Sequence, residues 1–140
     1  MTDSANDLDL SKIWLFSSCS TRELRTIRKA LEEVTRPANT VLCEEGAIGH
    51  EFFLIVSGQA SVRRNNRKVA TLGAGQYFGE LALLDRRPRS ATVISDSEML
   101  LLVLGQRQFN GVLDSIPTLA RKLLTAMATR LREADSRAFN

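Results

Sequence analysis

The middle of this chain, from Thr40 to about Leu104, consists of six short apolar runs separated by turn residues. Each run has four to seven residues, many of them β-branched or aromatic, and this composition is typical of strands. Glycines or paired asparagines stand in most of the gaps, where the chain must reverse. Many short strands at this spacing predict a small barrel or jelly roll. The predicted strands are TVLC, EFFLIVS, QASVRR, KVATL, SATVIS and MLLLVL.

The stretch before the barrel, from about Ser11 to Val34, has the periodicity of a helix. Ser20 and Glu23 form an S-x-x-E capping box, in which each side chain satisfies a free backbone N–H at the helix start. Apolar residues then recur at steps of three and four as far as Val34. We expect this helix to end before Pro37, because proline is incompatible with a helix interior.

A helical pattern returns after the barrel. The run QRQFNGVLD predicts a short helix, and Pro117 suits the first turn of a longer one that continues to about Arg137. The apolar residues of the longer helix leave two interpretations open: a face that packs on the barrel, or the seam of a coiled coil. The predicted fold class is α+β, mainly β: a double-stranded β-helix or jelly-roll barrel with an N-terminal helix and C-terminal helices.

Length and composition fit one globular domain. The chain has 140 residues, of which 44% are hydrophobic and 25% charged. Its net charge of +3 does not by itself predict a nucleic-acid partner. We predict a flexible N-terminal tail over residues 1–10 and a single domain over 11–140, with the barrel at about 39–104 and the C-terminal helices at about 105–137.

Cysteine usage and hydropathy indicate a cytoplasmic protein. Cys19 and Cys43 show no CxxC or Cys/His spacing, so they predict neither a disulfide framework nor a metal site. No apolar run approaches the roughly 18 residues of a membrane helix, and the chain start lacks the pattern of a secretion signal. His50 has no nucleophile and carboxylate in a pattern that would indicate catalysis. We therefore expect no enzymatic activity, no metal, no cofactor and no membrane contact.

One segment between the predicted strands, Phe78–Thr92, does not have the pattern of a strand. Its first half, GELALL, has the composition of a helical turn, and Gly79 lets a ligand approach the backbone N–H groups that favour an anion. Glu80 offers a carboxylate that can accept hydrogen bonds from sugar hydroxyls. Arg89 offers a planar fork for two phosphate oxygens, and Ser90 adds a hydroxyl and an N–H. The segment therefore fits a ligand with a ribose and one phosphate.

The full string of this segment resembles the phosphate-binding cassette of cyclic nucleotide-binding domains, as in catabolite activator-type regulators and the regulatory subunits of cAMP-dependent protein kinase. The nine-residue step from Glu80 to Arg89 and the ending P-R-S-A-T match the family pattern. The run EEGAIGHEFFLIVSGQASV also resembles the family's G-x-x-G-x-x-F-Y-x-I-x-x-G-x-V motif. The resemblance extends over roughly residues 10–137 and implies a barrel of the cyclic nucleotide-binding type.

The resemblance also implies which residues hold the ligand. In the family, a carboxylate at the position of Glu80 binds the ribose 2′-hydroxyl, and an arginine at the position of Arg89 neutralises the cyclic phosphate. Serine after this arginine favours cAMP, with cGMP as the alternative ligand. Backbone groups of the turn complete the phosphate cradle, and strand residues form part of the wall near the base. The implied ligand-binding residues are Gly79, Glu80, Leu81, Ala82, Arg89, Ser90, Ala91, Val62, Val69 and Ala70.

The leading hypothesis is a regulatory domain that senses cAMP and couples binding to movement of the C-terminal helices. Its protein partner would be a second copy, through the C-terminal helix, or an unidentified regulated protein. The alternative is the ligand-sensing part of a catabolite activator-type transcription regulator whose DNA-binding domain is absent from this chain. In either case we expect no nucleic-acid binding by this chain alone, because no recognition helix follows from the sequence. In a purely structural interpretation, Glu80 and Arg89 form an ion pair that stabilises the loop and bind no ligand.

Overall fold

The computed structural model describes residues 8–139, and this part of the chain contains three α-helices and eight strands. The helices are α1 (Thr21–Ala30), α2 (Gln106–Ser115) and α3 (Leu119–Phe139), and 3-10 turns cover Leu10–Lys12, Trp14–Phe16 and Glu80–Leu83. The strands are β1 (Glu32–Arg36), β2 (Val41–Cys43), β3 (Glu51–Ser57), β4 (Ala60–Arg64), β5 (Arg67–Leu72), β6 (Tyr77–Phe78), β7 (Thr92–Ser95) and β8 (Met99–Gly105).

The strands form two antiparallel sheets of four strands each. One sheet has the order β1-β8-β3-β6 and the other has the order β2-β7-β4-β5, so most neighbours are distant in sequence. Both sheets contribute to one core cluster, which takes alternate residues such as Phe53 and Ile55 of β3 and Leu101 and Val103 of β8, although the residues between them are buried too. This period of two is that of a strand face turned towards a core. The predicted fold class, a mainly β jelly-roll barrel with flanking helices, is confirmed.

The barrel starts earlier in the chain than the sequence predicts. Val34 does not belong to the first helix, because α1 ends at Ala30 and β1 begins at Glu32 rather than near residue 39. Val34 pairs with Leu101 of β8 and packs against the barrel core. The pattern from Glu32 to Arg36 is too short to separate a helix from a strand, and pairing with a distant strand decides between them.

The short strand β6 was also missed by the sequence analysis. It has only two residues, Tyr77 and Phe78, which pair with Leu54 and Phe53 of β3. The rings of Phe53 and Phe78 stack with their centroids 4.8 Å apart. A strand of this length has no periodicity, so only its partner β3 defines it.

The end of the predicted N-terminal tail is a second correction. Residues 1–7 lie outside the described residues, but Leu10 begins a 3-10 turn and is only 3% exposed. The Asp9 carboxylate accepts a hydrogen bond from the backbone N–H of Ser11 at 3.0 Å and so caps this turn. Burial of an apolar side chain orders the backbone that carries it, so Asp9 and Leu10 do not belong to the predicted tail.

The contacts within the chain divide it into two compact units. One unit contains the barrel, Leu31–Gln108, and the other combines Asp9–Ala30 with the described residues that follow 108. The prediction of a single domain over residues 11–140 therefore stays a prediction. No helix within residues 8–139 is long and apolar enough to cross a membrane. Burial raises the pKa of Cys19 to about 11 and also raises the pKa of Cys43, so both free thiols stay protonated at neutral pH.

Glu23 connects helices α1 and α3 within the second of these two units. Its carboxylate accepts a hydrogen bond from the Ser20 backbone N–H at 2.7 Å, and the Ser20 hydroxyl accepts one from the Glu23 N–H at 3.2 Å, which confirms the predicted capping box. The Thr118 hydroxyl donates to the same carboxylate at 2.8 Å, and the Lys122 ammonium lies 3.5 Å from it. The Ser20 backbone N–H is the main cause that lowers the pKa of Glu23, to about 2. One buried carboxylate thus joins the start of α1 to the start of α3.

Replacing Glu23 by glutamine should remove this charge-dependent stabilisation. A carboxyl group with a lowered pKa in the fold stabilises it above the ordinary pKa of 4.5, and that contribution is lost as the pH falls towards about 2. We expect Glu23→Gln to lower the free energy of unfolding at pH 7 by about 1–3 kcal/mol. Urea unfolding at pH 7 and at pH 3 checks this, since the difference from the wild type should shrink at pH 3. An equal difference at both pH values would contradict it.

Candidate functional site

The segment Phe78–Thr92, called the cassette segment below, connects β6 to β7 and begins with a tight turn. Gly79 has a φ of 81°, in the left-handed region where a side chain is strained. The 3-10 turn Glu80–Leu83 follows, which agrees with the helical turn predicted for GELALL. The Ala82 N–H donates to the Gly79 carbonyl at 3.0 Å, so this amide is already engaged within the turn. Leu81 is 57% exposed, whereas Ala82 is buried.

Arg89 is positioned by the loop between β2 and β3. Its backbone N–H donates to the carbonyl of Ala47 at 2.7 Å, and its carbonyl accepts from the N–H of Gly46 at 2.8 Å. Its guanidinium Nη2 donates to the carbonyl of Glu51 at 2.7 Å. The backbone of Arg89 is therefore fixed by this loop, and its side-chain end by the first residue of β3.

Two glycines make room for the Arg89 guanidinium. A Cβ atom on Gly49 would lie 2.5 Å from Nε of Arg89, and one on Gly79 would lie 2.5 Å from Nη1 and 2.8 Å from the Glu51 carbonyl. These distances are too short for any side chain, so the guanidinium packs directly on the two glycine backbones. Glu80 follows Gly79 directly in the chain. The structure therefore brings Glu80, predicted to bind the ribose, close to the guanidinium of Arg89, predicted to bind the phosphate.

The end of the cassette segment passes into the second sheet. Ser90 is exposed, and its carbonyl accepts a hydrogen bond from Nε of Arg64 at 3.1 Å. Ala91 is buried and leads into β7, which pairs with β4. The Sγ atom of Cys43 lies 3.8 Å from the Ala91 carbonyl, and the charge of Arg89 opposes the effect of burial on the pKa of Cys43. Ser90, the predicted further phosphate contact, and Ala91, a predicted ligand-binding residue, thus directly follow Arg89 in the chain.

The predicted wall residues lie on β4 and β5. Val62 and Ala70 are direct partners across these strands, and Val62 packs against the barrel core. Val69 is the extra residue of a β-bulge, because the pairing passes from Val62–Ala70 to Arg63–Lys68. Val69 is 53% exposed and Ala70 is also exposed. Since β4 pairs with β7 as well, the wall and the end of the cassette segment belong to the same sheet.

The sequence analysis missed the groups that hold Arg89. The Glu51 group is a backbone carbonyl, which leaves no signature in the sequence. Gly49 was assigned to a turn between strands and to a barrel motif, and neither assignment indicates that Arg89 packs on it. Within residues 8–139, no group of His, Cys, Asp and Glu side chains is arranged to hold a metal ion.

Comparison with known proteins decides the family. The family model described as cyclic nucleotide-binding domain matches residues 33–115, which include the cassette segment and both wall strands. The chain belongs to the cyclic nucleotide-binding domain family. The resemblance inferred from the sequence is thereby confirmed.

Two relatives show the range of proteins that carry this cyclic nucleotide-binding domain. A cAMP-dependent protein kinase regulatory subunit from Neurospora crassa is 36% identical over 128 residues, which are 90% of this chain and 32% of the relative. A cyclic nucleotide-gated potassium channel from Rhizobium etli is 38% identical over 109 residues, which are 78% of this chain and 30% of the channel. The chain thus spans about a third or less of the length of the curated relatives it matches.

Solved structures of the cyclic nucleotide-binding domain family have the same fold. The N-terminal domain of a transcriptional regulator from Streptomyces coelicolor A3(2) superposes with a TM-score of 0.83 at 30% identity, over 91% of this chain and 92% of that chain. The regulatory domain of Toxoplasma gondii PKA, crystallised with cAMP, superposes with a TM-score of 0.67 at 36% identity, over 74% of this chain and 41% of that chain.

A methyl group on Gly49 tests whether the position of Arg89 matters for the cyclic nucleotide. In Gly49→Ala the guanidinium must move, because the new Cβ would overlap Nε. We expect about a tenfold loss of affinity, the size of one displaced charge-assisted hydrogen bond. Gly73→Ala is the matched control, since a Cβ at Gly73 meets no atom within 4 Å. Calorimetric titration with cAMP measures both variants, and equal affinities would contradict the prediction.

Proposed function

We propose that this chain is a regulatory module that binds cAMP between the turn Gly79–Leu83 and Arg89, and that it is not an enzyme. The observation that carries the proposal is the Arg89 guanidinium, which packs on two glycines and donates to the Glu51 carbonyl. A side chain fixed in this way loses little conformational freedom when an anion binds. The crystallisation of the Toxoplasma gondii PKA regulatory domain with cAMP supports the same ligand here.

In the proposed site, different side chains bind the phosphate and the ribose of the ligand. The guanidinium of Arg89 has further N–H donors beyond the one that Glu51 uses, and these would hold the two exocyclic oxygens of the cyclic phosphate. Ser90 would add its hydroxyl to the phosphate. Glu80, partly buried at the start of the 3-10 turn, would accept hydrogen bonds from the ribose 2′-hydroxyl. The Ala82 amide is engaged with Gly79, so the other N–H donors of the cradle would come from Leu81 and Ala91.

The proposed wall near the base consists of Val62, Val69 and Ala70. The exposed apolar surface of Val69, opened by the β-bulge, would be covered by a purine. Apolar contact does not itself separate adenine from guanine. Serine at position 90 is the residue that favours cAMP, and tighter binding of cGMP in a parallel titration would overturn this preference.

A transcription regulator is the second candidate for the protein to which this domain belongs. The observation that favours it is the TM-score of 0.83 to the N-terminal domain of a Streptomyces coelicolor transcriptional regulator. Catabolite activator protein from Thermus thermophilus also superposes, with a TM-score of 0.70 at 28% identity, over 89% of this chain and 61% of that chain. We propose a cytoplasmic location for both candidates, and a second copy or a regulated protein as partner.

Loss of the Arg89 guanidinium should abolish most cAMP binding. Arg89→Leu leaves the phosphate in the site without its main counter-charge, and we expect affinity to fall by at least about a hundredfold. Arg87→Leu is the matched control, because Arg87 lies two residues away, is exposed, and contributes only its backbone carbonyl to Gly49. Calorimetric titration with cAMP gives both affinities. Equal binding by the two variants would remove the assignment of the site.

We also propose that binding moves the C-terminal helices through the cassette segment. Nε of Arg86 donates to the side chain of Gln106, the first residue of α2, at 3.1 Å. The backbone N–H of Gln106 donates in turn to the carbonyl of His50, next to the residue that holds Arg89. A ligand that shifts the cassette segment would therefore shift the start of α2, with coupling of about 1–3 kcal/mol typical of a regulatory domain.

Hydrogen exchange of the backbone amides tests this coupling. With cAMP, we expect exchange to change in the cassette segment and also in α2 and α3. In Arg86→Leu, which lacks the contact with Gln106, the change in the helices should become smaller while the change in the cassette segment persists. Changes confined to residues 78–92 in the wild type would show that the chain holds the nucleotide without any switch in the helices.

A further inference from the structure

The hairpin of β4 and β5 ends at a two-residue turn, Asn65–Asn66. Asn65 and Asn66 have φ angles of 54° and 63°, the left-handed conformation that suits a tight hairpin and that asparagine tolerates. This turn sets Arg64 directly opposite Arg67. A slip by one residue would move Arg64 to the other face of the sheet, so the turn fixes the side of the hairpin on which Arg64 lies.

The position of Arg64 is electrostatically unfavourable within the hairpin. Its direct partner across the strands is a second cation, Arg67, and like charges in this arrangement destabilise a sheet. Outside the hairpin, Nε of Arg64 donates to the carbonyl of Ser90 at 3.1 Å. Ser90 follows Arg89 directly, so Arg64 fastens the backbone of the cassette segment immediately after the proposed phosphate ligand.

A second connection ties the hairpin turn to the same region. The backbone N–H of Asn65 donates to the Glu45 carboxylate at 3.0 Å, and the backbone N–H of Glu45 donates to the Thr92 hydroxyl at 2.9 Å. Glu45 precedes Gly46, whose N–H holds the Arg89 carbonyl. The hairpin turn, the loop after β2 and the end of the cassette segment are therefore joined on both sides of Arg89.

We propose that Arg64 is a positioning residue for the cyclic nucleotide site: its hydrogen bond to Ser90 holds Arg89 and Ser90 in register with the wall on β4 and β5. This inference rests on the proposed function. The bond needs an N–H donor at the position of Nε, and we infer that a neutral donor there also holds the Ser90 carbonyl. Val62 lies two residues before Arg64 on β4 and therefore on the same face of the strand. Strand β4 would then carry both a wall residue near the base and the residue that positions the phosphate ligands Arg89 and Ser90.

Substitutions that separate the donor atom from the charge test the proposal. In Arg64→Gln the amide nitrogen takes the place of Nε along the side chain, so the donor remains and the charge is lost. In Arg64→Met the donor and the charge are both lost, while the side chain is about as long as that of glutamine. We expect Arg64→Met to bind cAMP about fivefold more weakly than the wild type, and Arg64→Gln to bind within about twofold of it. Arg63→Met is the matched control, because Arg63 is an exposed neighbour on the same strand.

The outcomes of these titrations are distinct. Equal weakening in Arg64→Gln and Arg64→Met would show that the charge attracts the nucleotide, and equal affinities of Arg64→Met and Arg63→Met would show no role. Either result overturns the proposal. Amide hydrogen exchange without ligand tests the role of Arg64 independently of cAMP binding. The backbone amides of residues 90–92 should exchange faster in Arg64→Met than in Arg64→Gln. This comparison holds even if the wild type fails to bind cAMP, and equal exchange rates would overturn the role of Arg64.

Discussion

The guanidinium of Arg89 and the carbonyl of Glu51 form the contact on which the site depends. The bond is 2.7 Å long and joins the end of the cassette segment to the first residue of β3, a central strand of the barrel. It can form only because Gly49 and Gly79 place no side chain beside the guanidinium. Arg89 keeps further N–H donors beside the one that Glu51 uses, and the proposed phosphate would accept from these. The cassette segment is thus a loop whose shape is imposed by the barrel.

The barrel supplies this rigidity from both of its sheets. β3 carries Glu51 in one sheet, while β7 receives the end of the cassette segment in the other. Arg64 and Glu45 then tie the β4–β5 hairpin to the same end of the second sheet. The proposed site is therefore held by three loops that are distant in sequence. Each individual hydrogen bond contributes only about 1 kcal/mol, so precise placement comes from their combination on a packed core.

The sequence predicted those features that depend on local chemistry. The capping box of Ser20 and Glu23 and the strands of the six apolar runs follow from short patterns, and the structure contains them. The assignment of Glu80 and Arg89 came from one continuous motif, and the geometry brings the two ends of that motif together. What sequence could not provide depends on distant partners. Val34 is a strand residue because β8 lies beside it, and the roles of the Glu51 carbonyl and of Arg64 exist only in the folded chain.

A crystal structure of this chain with cAMP would test the central claim most directly. We expect the cyclic phosphate to lie within hydrogen-bond distance of the Arg89 guanidinium while Arg89 still donates to the Glu51 carbonyl. We also expect the ribose 2′-hydroxyl to donate to Glu80. Arg89 should therefore need no new rotamer to bind its ligand. A nucleotide bound away from Gly79 and Arg89, or an Arg89 side chain that contacts only protein atoms in the complex, would contradict it.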